Sequence, residues 1–118
     1  MSTKEIGNAG EDLACAWAKD RGWVILERNY RCRFGEIDLI ARDGGILIFA
    51  EVKTRNTDRF GTGREAVDYR KQCRLHKTAA YYLACNPKIK SHTRFDVIEC
   101  NLNKAAVEHI PGAFEVPR

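Results

Sequence analysis

Gly35-Glu36-Ile37-Asp38-Leu39-Ile40-Ala41-Arg42-Asp43-Gly44-Gly45-Ile46-Leu47-Ile48-Phe49-Ala50-Glu51-Val52-Lys53-Thr54-Arg55 reads as two β-strands joined by a tight turn. Asp-Gly between apolar runs is the strongest short hairpin signal a sequence carries. Three ionisable residues interrupt the runs: Asp38 in the first strand, Glu51 and Lys53 in the second. A charge inside strands this apolar is costly to bury unless it is paired or holds a metal. Side chains alternate faces, so Ile37, Leu39 and Ala41 are expected on one face and Glu36, Asp38 and Ile40 on the other. On the second strand Ile46, Ile48, Ala50 and Val52 share a face, opposed to Leu47, Phe49, Glu51 and Lys53. With Asp43 and Gly44 as a two-residue loop, Arg42 pairs with Gly45, Asp38 with Phe49 and Glu36 with Glu51. Opposed residues share a face, so Asp38, Glu51 and Lys53 are expected to meet, with Glu51 diagonal to Asp38 at about 7–8 Å along the backbone. A one-residue change of loop length would scatter them.

Two carboxylates on rigid strands suit a hard, oxygen-loving ion, Mg²⁺ with Mn²⁺ as a substitute. Water and substrate phosphate would fill the remaining positions. A protonated lysine beside them is no ligand, but it can stabilise charge on phosphorus or orient an attacking water. The plainer reading is a cross-strand Lys–Glu pair on a solvated sheet face. Against it, Ile40, Leu47 and Phe49 lie on that same face, which is therefore expected to be partly covered.

Asp38, followed after a hairpin by Glu51-Val52-Lys53, resembles the D-(x)n-E-x-K signature of the restriction-endonuclease-like nuclease superfamily. The wider chain resembles the YraN-like family of small bacterial proteins. Five blocks carry that resemblance: Gly7-Asn8-Ala9-Gly10-Glu11-Asp12-Leu13-Ala14, Arg28-Asn29-Tyr30-Arg31, Gly35-Glu36-Ile37-Asp38-Leu39-Ile40-Ala41, Glu51-Val52-Lys53-Thr54-Arg55 and Arg94-Phe95-Asp96-Val97. They cover nearly the full length, and five in order are far more specific than E-x-K alone. The family is similar to archaeal Holliday-junction resolvases, so the resemblance implies a metal-dependent phosphodiesterase fold. Asn8-x-x-Glu11 has the spacing of a capping box, which on helical grounds alone favours a capping role for Glu11. The resemblance implies instead a site glutamate on the first helix.

At 118 residues, 44% apolar and 31% charged, the chain is expected to form one domain (1–118) with a real core. The first residues lack a signal-peptide apolar core, and no apolar run approaches a membrane span, so the expected location is the cytoplasm. Cys15, Cys32, Cys73, Cys85 and Cys100 show no C-x-x-C pairing and are expected to be reduced thiols, several buried, without structural zinc. A net charge of +4 is compatible with a polyanion partner without identifying one. Basic residues cluster at Arg28, Arg31 and Arg33, at Arg55 and Arg59, at Arg64, Arg70, Lys71, Arg74 and Lys77, and at Lys88 and Lys90. Converging on the charged strand face, they would form a groove for phosphate backbones, with Lys71, Arg55, Arg31 and Arg64 as the expected nucleic-acid contacts. Solvated surface is the plainer account of any single cluster.

The first helix is expected over residues 9–21, with Asn8 as N-cap and Gly22 closing it. Ala9, Leu13, Ala16 and Trp17 would form its apolar face, beside a second stripe of Glu11, Ala14, Cys15 and Ala18. Residues 23–30 read as a strand and residues 56–61 as a polar loop. Thr62-Gly63-Arg64-Glu65 reads as the capping box of a second helix reaching Cys85, stopped by Asn86-Pro87. Its inward stripe runs Val67, Lys71, Leu75, Ala79 and Tyr82, in which Lys71 either snorkels outward or reaches the acidic site. Residues 94–100 read as a further strand, with Asp96 an anchor for an arginine or a backbone amide. Residues 107–116 could add an edge strand ending at Pro117.

This order, helix–strand–strand–strand–helix–strand, predicts an α/β fold: a mixed central β-sheet flanked by helices, the αβββαβ core of the restriction-endonuclease-like fold. The expected function is metal-dependent cleavage of DNA, branched or structured DNA included. Asp38 and Glu51 would hold Mg²⁺, Glu11 and Glu36 would support them through water, and Lys53 would act on the water or the phosphorus. A homodimer is compatible with this reading and a membrane partner is not expected. The alternatives are a non-catalytic nucleic-acid-binding module on the same fold, and a partner-binding protein whose charges form only an ion-pair network.

Overall fold

The computed structural model describes residues 2–55 and 67–114. Their elements run α1 (Thr3–Asp20), β1 (Val24–Cys32), β2 (Gly35–Asp43), β3 (Ile46–Arg55), α2 (Tyr69–Cys85), β4 (His92–Asn101) and β5 (Ala106–Phe114). The strands stand side by side in the order β1-β2-β3-β4-β5, with neighbours antiparallel except for the parallel β3–β4 pair. Parallel neighbours need a crossover, and α2 lies in that connection. The two helices cover opposite faces. Leu75, Ala79 and Tyr82 of α2 pack with Ile40, Leu47, Phe49, Phe95 and Val97. Ala14, Cys15 and Ala18 of α1 pack with Leu39, Ala41, Ile48, Ala50 and Ile98. This is the predicted mixed sheet flanked by helices, with β5 as the edge strand and Pro117 outside the described residues.

The hairpin turn sits one residue later than predicted. Asp43 pairs with Ile46 and Arg42 with Leu47, so the two-residue loop is Gly44-Gly45, not Asp43-Gly44. Gly44 takes φ 57, the left-handed backbone that the first position of such a turn favours. The register therefore moves by two residues, an even number, and every side chain of β3 keeps its predicted face.

Helix α1 begins six residues earlier than predicted. Ser2 is its N-cap, its hydroxyl accepting from the Glu5 N–H at 3.2 Å and donating to Glu5 Oε1 at 3.0 Å. Two capping-box patterns, Ser2-x-x-Glu5 and Asn8-x-x-Glu11, thus compete, and the earlier one sets the start. The far end closes as predicted around Gly22: the Trp23 N–H reaches Ala18 O at 3.0 Å and the Gly22 N–H reaches Lys19 O at 2.9 Å. Of the two expected stripes, the small-residue one, suited to a close approach, takes the buried position. Gly10, Ala14, Cys15 and Ala18 are buried, Leu13 and Trp17 are half-buried, and Ala16 is exposed. The reason is a close approach: a Cβ on Gly10 would lie 1.9 Å from Thr54 Oγ1, so only glycine lets α1 lie this near to β3.

Among the described residues α2 starts at Tyr69, not near Thr62, because Asp68 caps it by accepting from the Lys71 N–H at 2.8 Å. The Thr62-Gly63-Arg64-Glu65 pattern and the expected loop at 56–61 lie outside the described residues. Val67 is buried as expected but precedes the helix, its carbonyl accepting from Gln72 Nε2 at 2.9 Å.

Candidate functional site

The ladder between β2 and β3 ends at Leu39↔Ala50. Just beyond it the Val52 N–H donates to Asp38 Oδ2 at 2.9 Å, so a side chain takes the place of a strand carbonyl. Strict alternation also fails here. Ile37, expected beside Leu39, joins Ile40 in the core under α2. Asp38 therefore stands at a fork in the sheet, its carboxylate directed at the opposite strand.

Glu51 lies on β3 next to that fork and is 8% exposed. Its Oε1 accepts from Lys71 Nζ of α2 at 2.5 Å and lies 3.6 Å from Lys53 Nζ. Lys71 thus reaches the acidic site from the helix. Glu11 enters from the opposite face, where Gly10 lets α1 come close; its Oε2 accepts from Asn29 Nδ2 at 3.1 Å and stands 3.9 Å from Arg28 Nη2. Asn29 adopts φ 53, a conformation asparagine tolerates better than most residues. Nothing in the hairpin singles it out. Its place in the Arg28-Asn29-Tyr30-Arg31 block was the signal available.

The electrostatics separate these groups. Burial, reinforced by the Glu51 charge and by Glu11, pushes the Asp38 carboxyl up to about 7; the Val52 N–H and Lys71 pull it back down. Burial and the neighbouring Lys71 depress Lys53, opposed by Glu51. For Lys71, burial acts downward, but its hydrogen bond and charge contact with Glu51 outweigh it and the group is raised. One lysine is held as a cation and the other is drawn toward the neutral amine.

The family model described as Uncharacterised protein family UPF0102 matches residues 10–100, which contain Glu11, Asp38, Glu51, Lys53 and Lys71. The chain belongs to the UPF0102 family. A UPF0102 protein of Moorella thermoacetica is 46% identical over 97% of this chain and 98% of its own length. One of Syntrophus aciditrophicus is 44% identical, covering 93% and 88%, and one of Clostridium botulinum 42%, covering 96% of each.

The other predicted site residues of this UPF0102 chain lie apart from the fork. Arg31 Nε pairs with Glu36 at 3.0 Å on an exposed surface, so Glu36 is engaged in an ion pair there. Arg55 Nε donates to the fully buried Glu99 Oε1 at 3.3 Å. Arg64 lies outside the described residues. Asp96 is an anchor as expected, for Arg94, His109 and the Gly112 N–H. The cysteines are free, with Cys15 and Cys100 buried. Among the described residues no helix is long and apolar enough to cross a membrane. Among them, too, no three His, Cys, Asp or Glu side chains converge into a metal cage. Asp38 and Glu51 each have one oxygen engaged, through Val52 and Lys71, and no hydrogen bond among the described residues occupies Asp38 Oδ1 or Glu51 Oε2.

Proposed function

We propose that this UPF0102 chain is a metal-dependent endonuclease acting on DNA, structured or branched DNA included. The observation that carries the reading is the fork at Asp38. A carboxylate raised to about 7 faces a second carboxylate, Glu51, between two lysines held in opposite directions. Perturbed titratable groups gathered at one point mark functional sites more often than structural ones.

The donor set fits a hard divalent cation. Asp38 Oδ1 and Glu51 Oε2 are carboxylate oxygens with open valence, and two such groups suffice where water and substrate phosphate complete the coordination. Mg²⁺ or Mn²⁺ bound there would polarise the phosphodiester and lower the pKa of a bound water. The side chains of the chain then divide the remaining work. Lys53, depressed by burial, is suited to exchange a proton with the attacking water or to donate to the phosphorus oxygens as charge builds. Lys71 stays charged, holds Glu51 in place and stands ready to meet a phosphate oxygen. Glu11 adds negative charge near Asp38 and would reach the centre through water.

The test is a cleavage screen over duplex, single-stranded and four-way-junction DNA with Mg²⁺ or Mn²⁺. Cleavage lost in Glu51→Ala supports the reading, and absence of cleavage of every substrate overturns it. Lys53→Ala should abolish turnover with little change in DNA affinity, as expected of a group acting chiefly in the transition state.

A further inference from the structure

Beside Lys71 a cleft of about 620 Å³ opens between α2 and the turn joining β1 to β2, with Arg31, Glu36, Arg74 and Leu75 among its walls. Its size falls within the about 300–1,000 Å³ of small-ligand sites. Three cations line it against one carboxylate; Glu36 is paired with Arg31 and Lys71 with Glu51, so a net positive charge remains, carried by Arg74. The cleft therefore favours an anion. Its floor is tight at Gly35, where a Cβ would lie 3.1 Å from Thr78 Oγ1 of α2.

Beyond the cleft, farther along α2, the surface changes from basic to aromatic. Phe34, next to Gly35, meets Tyr81 edge-on with ring centroids 5.8 Å apart, and the Arg33 guanidinium covers the Phe34 ring at 4.8 Å. Tyr81 remains 39% exposed. Lys71, Arg74 and Tyr81 lie along one side of α2 at helical spacing, with the fully buried Thr78 beneath them, so the three form one stripe. At 1.5 Å per residue the stripe carries Tyr81 about 15 Å from Lys71.

We infer that this stripe is a track for an unpaired DNA strand leaving the cleavage point. Backbone phosphates would lie on Lys71, Arg74 and Arg31, and a base would stack on Tyr81 a few nucleotides away. The inference rests on the nuclease reading for what happens at Lys71, and it names the substrate class: DNA with a single-stranded arm. Cations alone would serve a duplex equally well, since they read only phosphates. A partly exposed ring farther along the helix that walls a basic cleft serves a base that is free to stack, and in a duplex the bases are stacked on one another.

The experiment measures binding by fluorescence anisotropy in chelator, where no cleavage occurs. Three probes are compared: a single-stranded oligonucleotide, the duplex of the same sequence, and that duplex carrying a single-stranded arm. Tyr81→Ala should weaken the single strand and the armed duplex about 5- to 100-fold and leave the plain duplex within about twofold. Tyr81→Phe, which keeps the ring, should bind as wild type. Arg74→Ala, on an exposed side chain, should reduce the salt slope for the single strand by about one unit. Unchanged single-strand affinity in Tyr81→Ala, or an equal loss on the plain duplex, would overturn the track. Those results leave the nuclease reading standing if the cleavage screen succeeds. A Tyr81 effect without cleavage of any substrate would uphold the track and remove the nuclease.

Discussion

Asp38 and Asp96 are two aspartates of one sheet, both removed from bulk water, and their surroundings treat them in opposite ways. Asp96 is fully buried on β4, yet Arg94 grips it with two nitrogens at 2.7 and 2.9 Å, His109 Nε2 lies at 2.7 Å, and the Gly112 N–H donates at 3.0 Å. Burial alone would raise its carboxyl, but these donors outweigh burial and hold it below the usual range. Asp38 has one backbone donor and faces two other carboxylates, so its carboxyl rises to about 7. Burial alone therefore does not set the state of an acid in this protein. What separates the two is how far each charge is answered by its surroundings, and the proposed site lies where the charge is answered least.

The largest expected effect lies on the satisfied side. Asp96→Ala strands Arg94, His109 and a backbone N–H at once, and it should destabilise the fold by about 3 kcal/mol. That corresponds to roughly 10 °C or more in Tm, read by thermal denaturation. A variant that melts like wild type would erase the contrast.

Next in size is the response to metal. Mn²⁺ at a hundred times its Kd should stabilise the wild type by about 2.7 kcal/mol. Asp38→Ala should abolish both that shift and the heat of binding in a calorimetric titration. Equal binding by wild type and variant would remove the metal from the fork.

A smaller effect comes from protons. The folded pKa of Asp38, about 7, lies above its unfolded value, so the native state binds the extra proton between about pH 4 and pH 7. Its contribution to stability therefore declines as pH rises through that window and is flat above it. Asp96, depressed in the fold, has the opposite slope: it stabilises above about pH 4 and loses that contribution in acid. In chelator at pH 8, Asp38→Asn should raise stability, with denaturant midpoints as the readout, and should remove the decline between about pH 4 and pH 7. A drop in stability would show that the Val52 contact matters more than the buried charge.

The smallest change is expected at Glu51. Two carboxylates on one strand face suggest strain shared between them. The structure concentrates it on Asp38, because Lys71 and Lys53 answer Glu51. Both lysines retain solvent, at 31% and 20% side-chain exposure, so Glu51→Gln should alter metal-free stability by less than about 1 kcal/mol. A loss comparable with that of Asp96→Ala would place Glu51 on the structural side of the comparison.

Much of this site was legible because strand parity is robust. The turn falls at Gly44-Gly45, not Asp43-Gly44, yet a shift of two residues leaves Glu51 and Lys53 on the predicted side, and the Val52 contact holds Asp38 beside them. Lys71 stood out as a cation in an apolar helical stripe, and it does reach Glu51. The fork was not legible. Alternation assumes a continuing ladder, and nothing local to Ile37 and Asp38 says that the strands separate there. The two ends of α1 divide in the same way. Gly22 marked the close, while Ser2-x-x-Glu5 and Asn8-x-x-Glu11 offered rival starts that only tertiary packing decides. The same packing, through Gly10 on Thr54, buries the small stripe and leaves Leu13 and Trp17 at its margin. The Arg55–Glu99 pair was not legible either, because its members lie 44 residues apart on different strands.

The hydrogen bond from the Val52 N–H to Asp38 ties a main-chain amide to a group that changes charge near neutrality. An amide in an ordinary ladder faces a carbonyl whose charge never changes, so its resonance is indifferent to pH. The Val52 amide faces an acceptor that weakens on protonation, and it becomes a spectroscopic gauge of the site, built into the strand that carries Glu51 and Lys53. Its chemical shift should titrate with a midpoint near 7, while the amide of Gly112, whose acceptor Asp96 keeps its charge, should stay still over the same range.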